Sequence, residues 1–418
     1  MKKLIPQSLK NIYHLFQAVL ANVWFGFPSK KIKVIGVTGT DGKTTTTQII
    51  TKILEEAGKK VAMASTINFK IGDNEWTNLS HFTTLSSFAV QKFIKQAVEN
   101  GCEYLVLETS SHSLDQHRVW GIDYKTAVIT NVTREHLDYH KTMENYRQAK
   151  RKLFNKVEVA IVNLDMEDSE EYLDAKSPVK IGYSAKFPIS NDQIKKIIAE
   201  NVELGIDSST FTVEGKKFTL NLVGDFNIEN ALAAISVGVS EDIDLETCAR
   251  AISKIKSVPG RMEYVSNEKG LNILVDFALT PDALKKLYSL LVKIKKPESK
   301  IIAVFGACGE RDRGKRPIIG EIVSAYADFV IVTNDEPYHE DPMQIIGEII
   351  SGIKNKQEGK DFWVIADRRE AIRKALQLAT SGDVIAVTGM GAEESMIVGD
   401  EKIPWNDKKV ILEELESY

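Results

Sequence analysis

Cysteine is scarce. The chain has 418 residues but only Cys102, Cys248 and Cys308, scattered at spacings that fit neither a zinc site nor a disulfide framework, which points to a reducing cytoplasmic setting. No apolar run reaches the ~18 residues of a membrane span. Charge of one sign is also lacking: the formal net charge is −4, which argues against nucleic-acid binding by bulk charge. What remains, 43% hydrophobic and 27% charged residues, is ordinary globular composition. At ~150 residues per domain, the length suggests two or three domains.

The stretch that organises the chain is VIGVTGTDGKTTTT, Val34 to Thr47. The β-branched run Ile32, Val34, Ile35 and Val37 predicts a buried strand. The chain then turns through Gly39, Thr40, Asp41 and Gly42 into Lys43, Thr44, Thr45 and a helix start. A strand, a glycine loop and a helix N-terminus make a phosphate cradle. The glycines let backbone amides close on phosphate oxygens, Lys43 supplies a point charge, and the Thr44 hydroxyl can ligate Mg²⁺. The spacing departs from the commonest loop, in which a glycine stands five residues before the Gly-Lys pair, because Gly39 lies only three before Gly42.

Ahead of this loop, Leu9, Ile12, Leu15, Phe16, Val19, Leu20 and Val23 recur at helical spacing, and Phe27-Pro28-Ser29 ends the helix. Two readings stay open for residues 5–27: a helix packed on the following domain, or an interfacial helix touching a membrane or a partner, with Trp24, Phe25 and Phe27 at its end. Lys2 and Lys3 raise a signal peptide, but no small-residue cleavage site follows.

After the loop, Tyr104 to Glu108 predicts a strand ending on a carboxylate beside the phosphate loop, placed to bind Mg²⁺ directly or through water. Val61 to Thr66 predicts another strand, and His81 to Thr84 a hydroxyl-bearing loop. Residues 165–220 predict strands and a helix without function. The Pro259-Gly260 break marks a domain boundary, and beyond it strand–helix alternation predicts a second α/β domain.

The TGTDGKT form resembles the Mur ligase family, whose loop reads TGTNGKT; Asp41 stands for the usual Asn. The resemblance extends through ETSSHSLDQHRV from Glu108, TNVTREHLDYH from Thr130, and the Tyr146 to Phe154 stretch, which are similar to the MurE branch, the enzymes that add the third residue of the peptidoglycan stem peptide. It implies a P-loop ATPase central domain with a mostly parallel sheet and a Rossmann-like α/β C-terminal domain, divided here as 1–31, 32–258 and 259–418. It also implies an ATP- and Mg²⁺-dependent amide ligase of cell-wall biogenesis, serving cell shape and division, cytoplasmic, monomeric, and using a muramoyl-peptide acceptor and an amino acid rather than nucleic acid.

Carried over by position, the resemblance implies that Lys43, Glu108, His136 and Lys150 are catalytic. Thr44, Glu108, His136 and a carbamylated Lys150 would hold metal. Asn227, Arg261 and Asp276 would join Gly39 to Thr45 at the nucleotide. Thr83, Thr84, Ser110, Gln116 and Arg118 would hold the acceptor. Arg311, Asp335, Glu336, Tyr338, Gly389 and Glu393 would hold the incoming amino acid, with Arg311 on its α-carboxylate. The second domain is expected to close and shut out water.

Departures from the family pattern shape the substrate expectation. Leu279, Met390 and Ala392 replace His, Lys and His. Tyr338 replaces the Arg with which diaminopimelate-adding enzymes bind the distal carboxylate, so diaminopimelate is not expected. A carboxylate at Asp335 or Glu393 could take the ammonium of a lysine-like substrate. About thirty residues precede the loop, where MurE enzymes carry a UDP-binding domain, so the acceptor is expected to be read by its muramoyl-peptide part or in a lipid-linked form. The rivals are a polyglutamate or cyanophycin-like ligase and a non-catalytic ATP-binding subunit.

Overall fold

The computed structural model describes residues 6–80, 82–186, 194–205 and 208–417. Lys2, Lys3, Ile5 and His81 lie outside the described residues. The chain divides into two compact units, Met1–Thr133 with His140–Lys256, and Arg134–Tyr139 with Ser257–Tyr418.

The first unit is built on a nine-stranded sheet. Its strands are β1 (Lys33–Thr38), β2 (Val61–Ala64), β3 (Asn68–Ile71), β4 (Asn74–Thr77), β5 (Tyr104–Glu108), β6 (Tyr124–Ile129), β7 (Val159–Asn163), β8 (Val179–Ser184) and β9 (Lys195–Ile198). They lie in the order β4-β3-β2-β5-β1-β6-β7-β8-β9. From β2 to β9 every pairing is parallel, while β3 and β4 add an antiparallel edge. β1 sits between β5 and β6, and all but its first residue are buried, as expected of a central parallel strand covered on both faces. A three-stranded antiparallel sheet, β10 (Glu200–Leu204), β11 (Ser209–Val213) and β12 (Lys216–Leu220), accounts for much of residues 165–220. The strand expected over Val61 to Thr66 stops at Ala64, because Thr66 turns towards Glu108, with its amide donating to Oε2 at 2.8 Å.

Helix α1 (Gln7–Phe25) ends at Gly26, whose φ of 71° satisfies the helix C-terminus as a glycine can. A short 3₁₀ turn, Pro28–Lys31, leads into β1. Helix α2 (Lys43–Glu56) follows the glycine loop, and α3 (Ser87–Glu99) lies against α1, where Phe25 meets Phe88 edge-on at 6.4 Å.

The second unit holds a six-stranded sheet of β13 (Glu263–Val265), β14 (Asn272–Asp276), β15 (Ile301–Phe305), β16 (Phe329–Val332), β17 (Phe362–Val364) and β18 (Val384–Thr388), in the order β13-β14-β18-β15-β16-β17. All pairings are parallel except the β13 edge. Apolar clusters form on two sides, one around Leu284, Tyr288 and Ile319, the other around Ala371, Ile372 and Ile411. A hairpin of β19 (Ser395–Val398) and β20 (Glu401–Pro404) follows. This is the doubly covered Rossmann-like sheet that the strand–helix alternation predicts.

Candidate functional site

The glycine loop is held in shape from both sides. Gly39 has φ 153° and Gly42 φ 81°, a backbone region open to glycine and strained for other residues. A Cβ on Gly39 would overlap Thr130 Oγ1, and one on Gly42 would overlap Asn230 Oδ1. Thr130 donates to the Asp41 carbonyl at 2.6 Å, and the Asp41 amide donates to Asn131 Oδ1 at 2.9 Å. Lys43 Nζ ties the loop together, donating to the carbonyls of Gly39 and Thr40 at 3.1 and 2.7 Å. The N-terminus of α2 carries no side-chain cap, so its first-turn amides and the adjoining loop fit a phosphate chain.

Glu108, at the end of β5 next to β1, is buried. Its two oxygens lie 3.2 and 3.1 Å from Thr44 Oγ1, and its Oε1 also accepts from Thr66 Oγ1 at 2.9 Å. A hydroxyl and a carboxylate converging beside a phosphate loop are hard oxygen donors of the kind Mg²⁺ takes. Among the described residues, no group of three or more His, Cys, Asp and Glu side chains is poised as a metal site. His136 adopts φ 57° in the Arg134–Tyr139 segment, which groups with the second unit.

Lys150 is not a solvated helix residue. It is 1% exposed, donates to the Gly39 carbonyl at 2.6 Å, and lies 4.3 Å from the Tyr146 ring centroid. Tyr146 in turn hydrogen-bonds Thr40 Oγ1 at 3.1 Å. His140 Nε2 meets Ser111 Oγ at 3.0 Å, and burial pushes its pKa down to about 4, so the ring is neutral at physiological pH.

Around Glu108 stand the candidate acceptor residues. Thr84 Oγ1 donates to the Glu108 carbonyl at 3.0 Å and accepts from the Ser110 amide at 2.9 Å. Ser110 caps the short helix Ser111–Asp115 through the Ser113 amide. Thr83 Oγ1 lies 3.2 Å from Thr66 Oγ1, and Arg118 donates to the Thr84 carbonyl at 2.6 Å. Gln116 follows that short helix and is part-buried. Asn227 does not cap its helix, Asp225–Ser240. Its Nδ2 donates to the Val223 carbonyl, and its Oδ1 accepts from Asn230 Nδ2, so it steadies the residue that faces Gly42. Thr45 is buried in the first turn of α2.

In the second unit Asp276 accepts from the amides of Met262 and Ala278, both at 2.7 Å, bracing the Gly260–Met262 turn. Arg261 lies over the Phe277 ring at 4.5 Å. Beyond the ends of β16 and β18, Arg368 holds Asp407 through two bonds of 2.8 and 2.7 Å and reaches the carbonyls of Asn334 and Thr388. This buried fork fixes the loops that carry Asp335 and Gly389 relative to each other. Asp335 is buried, its Oδ2 has no hydrogen-bond partner among the described residues, and burial raises its pKa to about 6 against the pull of Arg368. A Cβ on Gly389 would lie 2.6 Å from that oxygen. Glu336 is buried beside it, and Tyr338 Oη lies 3.5 Å from Glu336 Oε2. Arg311 stands over the Tyr338 ring at 5.8 Å. The Glu393 backbone N–H donates to the Met390 carbonyl at 3.0 Å. Met390 is fully packed, so its side chain serves the core.

Sequence reasoning missed Thr66 and Thr130. Neither lies in the glycine loop or in the Glu108 strand, and only the fold brings them there.

Comparison with known proteins gives a consistent set of relatives. The Mur ligase middle domain matches residues 37–238, and the Mur ligase glutamate ligase domain matches residues 260–391. The chain is 40% identical over 408 residues to a UDP-N-acetylmuramoyl-L-alanyl-D-glutamate–2,6-diaminopimelate ligase of Syntrophomonas wolfei, covering 95% of this chain and 81% of that protein. It is 37% identical to a UDP-N-acetylmuramyl-tripeptide synthetase of a Roseiflexus species, covering 93% and 80%. Among solved structures, a diaminopimelate ligase of the same description aligns with a TM-score of 0.61 at 30% identity, covering 92% of this chain and 78% of that one. A folylpolyglutamate synthase of Mycobacterium tuberculosis complexed with ADP shares the fold with a TM-score of 0.71 at 16% identity, covering 90% and 91%.

Proposed function

The chain belongs to the Mur ligase family, and from that premise we propose that it joins an amino acid other than diaminopimelate to a muramoyl-dipeptide-type acceptor. The broader activity follows from the family: an ATP-dependent amide-bond ligase of peptidoglycan precursor synthesis.

In the proposed reaction an oxygen of the acceptor carboxylate attacks the γ-phosphorus of ATP, and ADP leaves. The resulting acyl phosphate is attacked at its carbonyl carbon by the amine of the amino acid. The amine loses its proton, and inorganic phosphate leaves as the amide forms. Lys43 and the α2 N-terminus would neutralise the phosphate charge and align the reacting oxygens, which is most of what phosphoryl transfer requires. Mg²⁺ held by Thr44, Glu108 and a carbamylated Lys150 would add charge neutralisation on the transferring group. Carbamylation adds CO₂ to the Lys150 amine with loss of a proton, turning a buried cation into an anion suited to a cation's ligand shell.

The observation that carries the nucleotide reading is Thr44 Oγ1 within 3.2 Å of both oxygens of the buried Glu108, directly after the glycine loop. For the amino acid, the unpartnered oxygen of Asp335 supports a side-chain ammonium, and Tyr338 offers no cation for a distal carboxylate. The relatives' names point towards diaminopimelate, and one assay separates the two amino-acid readings. Purified protein with ATP and Mg²⁺ is given UDP-muramoyl-dipeptide and single amino acids, and phosphate release is followed. Stimulation by lysine or ornithine supports the reading. Stimulation by meso-diaminopimelate alone overturns the amino-acid assignment, and silence with every amino acid overturns the acceptor assignment. A polyglutamate ligase is less well supported, because the likeness to the folate enzyme stands at 16% identity while the muramoyl ligase reaches 40%.

A further inference from the structure

Helix α1 carries apolar residues on its outward face as well as against the protein. A helix packed on a protein points its apolar stripe inward. Here Ala18, Ala21 and Asn22 are the residues buried against the body, with Asn22 Nδ2 donating to the Trp120 carbonyl at 2.7 Å and Asn11 Nδ2 to Asp115 at 3.2 Å. The opposite face carries Leu9, Ile12, Phe16, Leu20, Val23 and Trp24, with Phe16 60% and Trp24 79% exposed. At 100° per residue these six fall within one stripe along the helix. The polar atom on that face, the Tyr13 hydroxyl, is occupied by Gln17 at 2.9 Å.

The charge of the N-terminal segment is one-sided along the sequence. The first forty residues contain six lysines and neither Asp nor Glu, in a chain whose net charge is −4. Lys10 lies on the helix flank, and Lys30 and Lys31 follow its C-terminal end. Lys33 is neutralised by Glu241, and Asp115 beneath the helix by Lys152. No described helix is long and apolar enough to cross a membrane. An exposed apolar stripe with basic flanks and a tryptophan at one end has the chemistry of a helix lying in a bilayer interface, and basic groups beside it are drawn to anionic headgroups.

We propose that the outward face of α1 docks this protein on a negatively charged bilayer surface, lying along it rather than crossing it. This is independent of the ligase reading and is tested without activity. The full chain is sedimented with vesicles of phosphatidylcholine and phosphatidylglycerol in equal parts, and with phosphatidylcholine alone. Pelleting is expected with the anionic vesicles, weakened by salt, with a blue shift in emission that Trp24→Phe abolishes. The pair Phe16→Asp and Leu20→Asp is expected to lower partitioning at least ~10-fold, while melting temperature and ATP affinity stay at wild-type values and so report an intact fold. Absence of pelleting, equal pelleting on neutral vesicles, or equal pelleting of the double variant overturns the proposal. A wild-type dimer that the double variant converts to monomer, with no vesicle binding, assigns the stripe to a second copy and overturns it as well.

Discussion

The side-chain oxygen of Asn230 fills the space that a Cβ on Gly42 would need, and the same oxygen accepts the Thr46 hydroxyl at 3.2 Å. The loop is thus braced by a residue nearly two hundred positions away, and its glycine is required both by φ 81° and by this neighbour.

Gly42→Ala is therefore expected to weaken ATP binding at least ~10-fold, since the left-handed backbone alone costs roughly 1–2 kcal/mol and the overlap adds to it. Calorimetric titration with ATP measures this. Wild-type affinity in the variant would show that the loop does not bind the triphosphate.

Lys43→Ala is expected to lower phosphate release stimulated by acceptor and amino acid by ~10²–10³-fold, the usual effect of removing one stabilising donor from a developing negative charge. Its melting temperature should hardly change, because among the described residues Lys43 bonds only carbonyls of its own loop. Retained stimulation would exclude Lys43 from the reaction.

Lys150 should yield a carbamate carbon signal by NMR after equilibration with ¹³C-bicarbonate, and Lys150→Arg should remove it. Depleting dissolved CO₂ should slow the wild type and leave the residual rate of the variant unchanged. If neither signal nor CO₂ dependence is found, Lys150 acts as a buried amine on the Gly39 carbonyl.

Asp335 gives a pH signature. Buried, it keeps its proton up to about pH 6, whereas an unfolded aspartate keeps it only to about pH 4. Between those values the folded state binds more protons, so stability falls as pH rises through the window and stays lower above it. The loss is at most about 3 kcal/mol. Asp335→Asn should flatten that slope in denaturant titrations at pH 4.5 and 7, and should raise the KM for the amino acid. Parallel slopes in the two proteins would contradict the buried, unpartnered carboxyl.

Tyr338→Arg should restore a cation beside Glu336 and Arg311 and raise phosphate release with meso-diaminopimelate by ~10-fold, about the effect of one charge-assisted hydrogen bond. A comparison of KM for diaminopimelate and lysine in both proteins checks it. No gain would mean that position 338 does not meet the distal carboxylate.

The glycine loop, the buried strand before it and the carboxylate of Glu108 were legible in the sequence because they are local. Apolar runs, glycine punctuation and one helix start follow each other within a few positions. The two α/β sheets were legible for the same reason, from strand–helix alternation. Residue-by-residue resemblance supplied the rest of the candidate site, and it was weakest where this chain departs from the pattern.

Neighbouring residues alone dictate that a strand, a flexible loop and a helix N-terminus meet, since backbone freedom and hydrophobic periodicity are local properties. Long-range packing sets the rest: Asn230 and Thr130 close the loop, Thr66 turns back onto Glu108, and Lys150 is buried against Gly39 and Tyr146. It also decided which face of α1 is turned outward. The helical periodicity revealed an apolar stripe but could not say whether protein would cover it, because burial depends on packing partners far away in the chain.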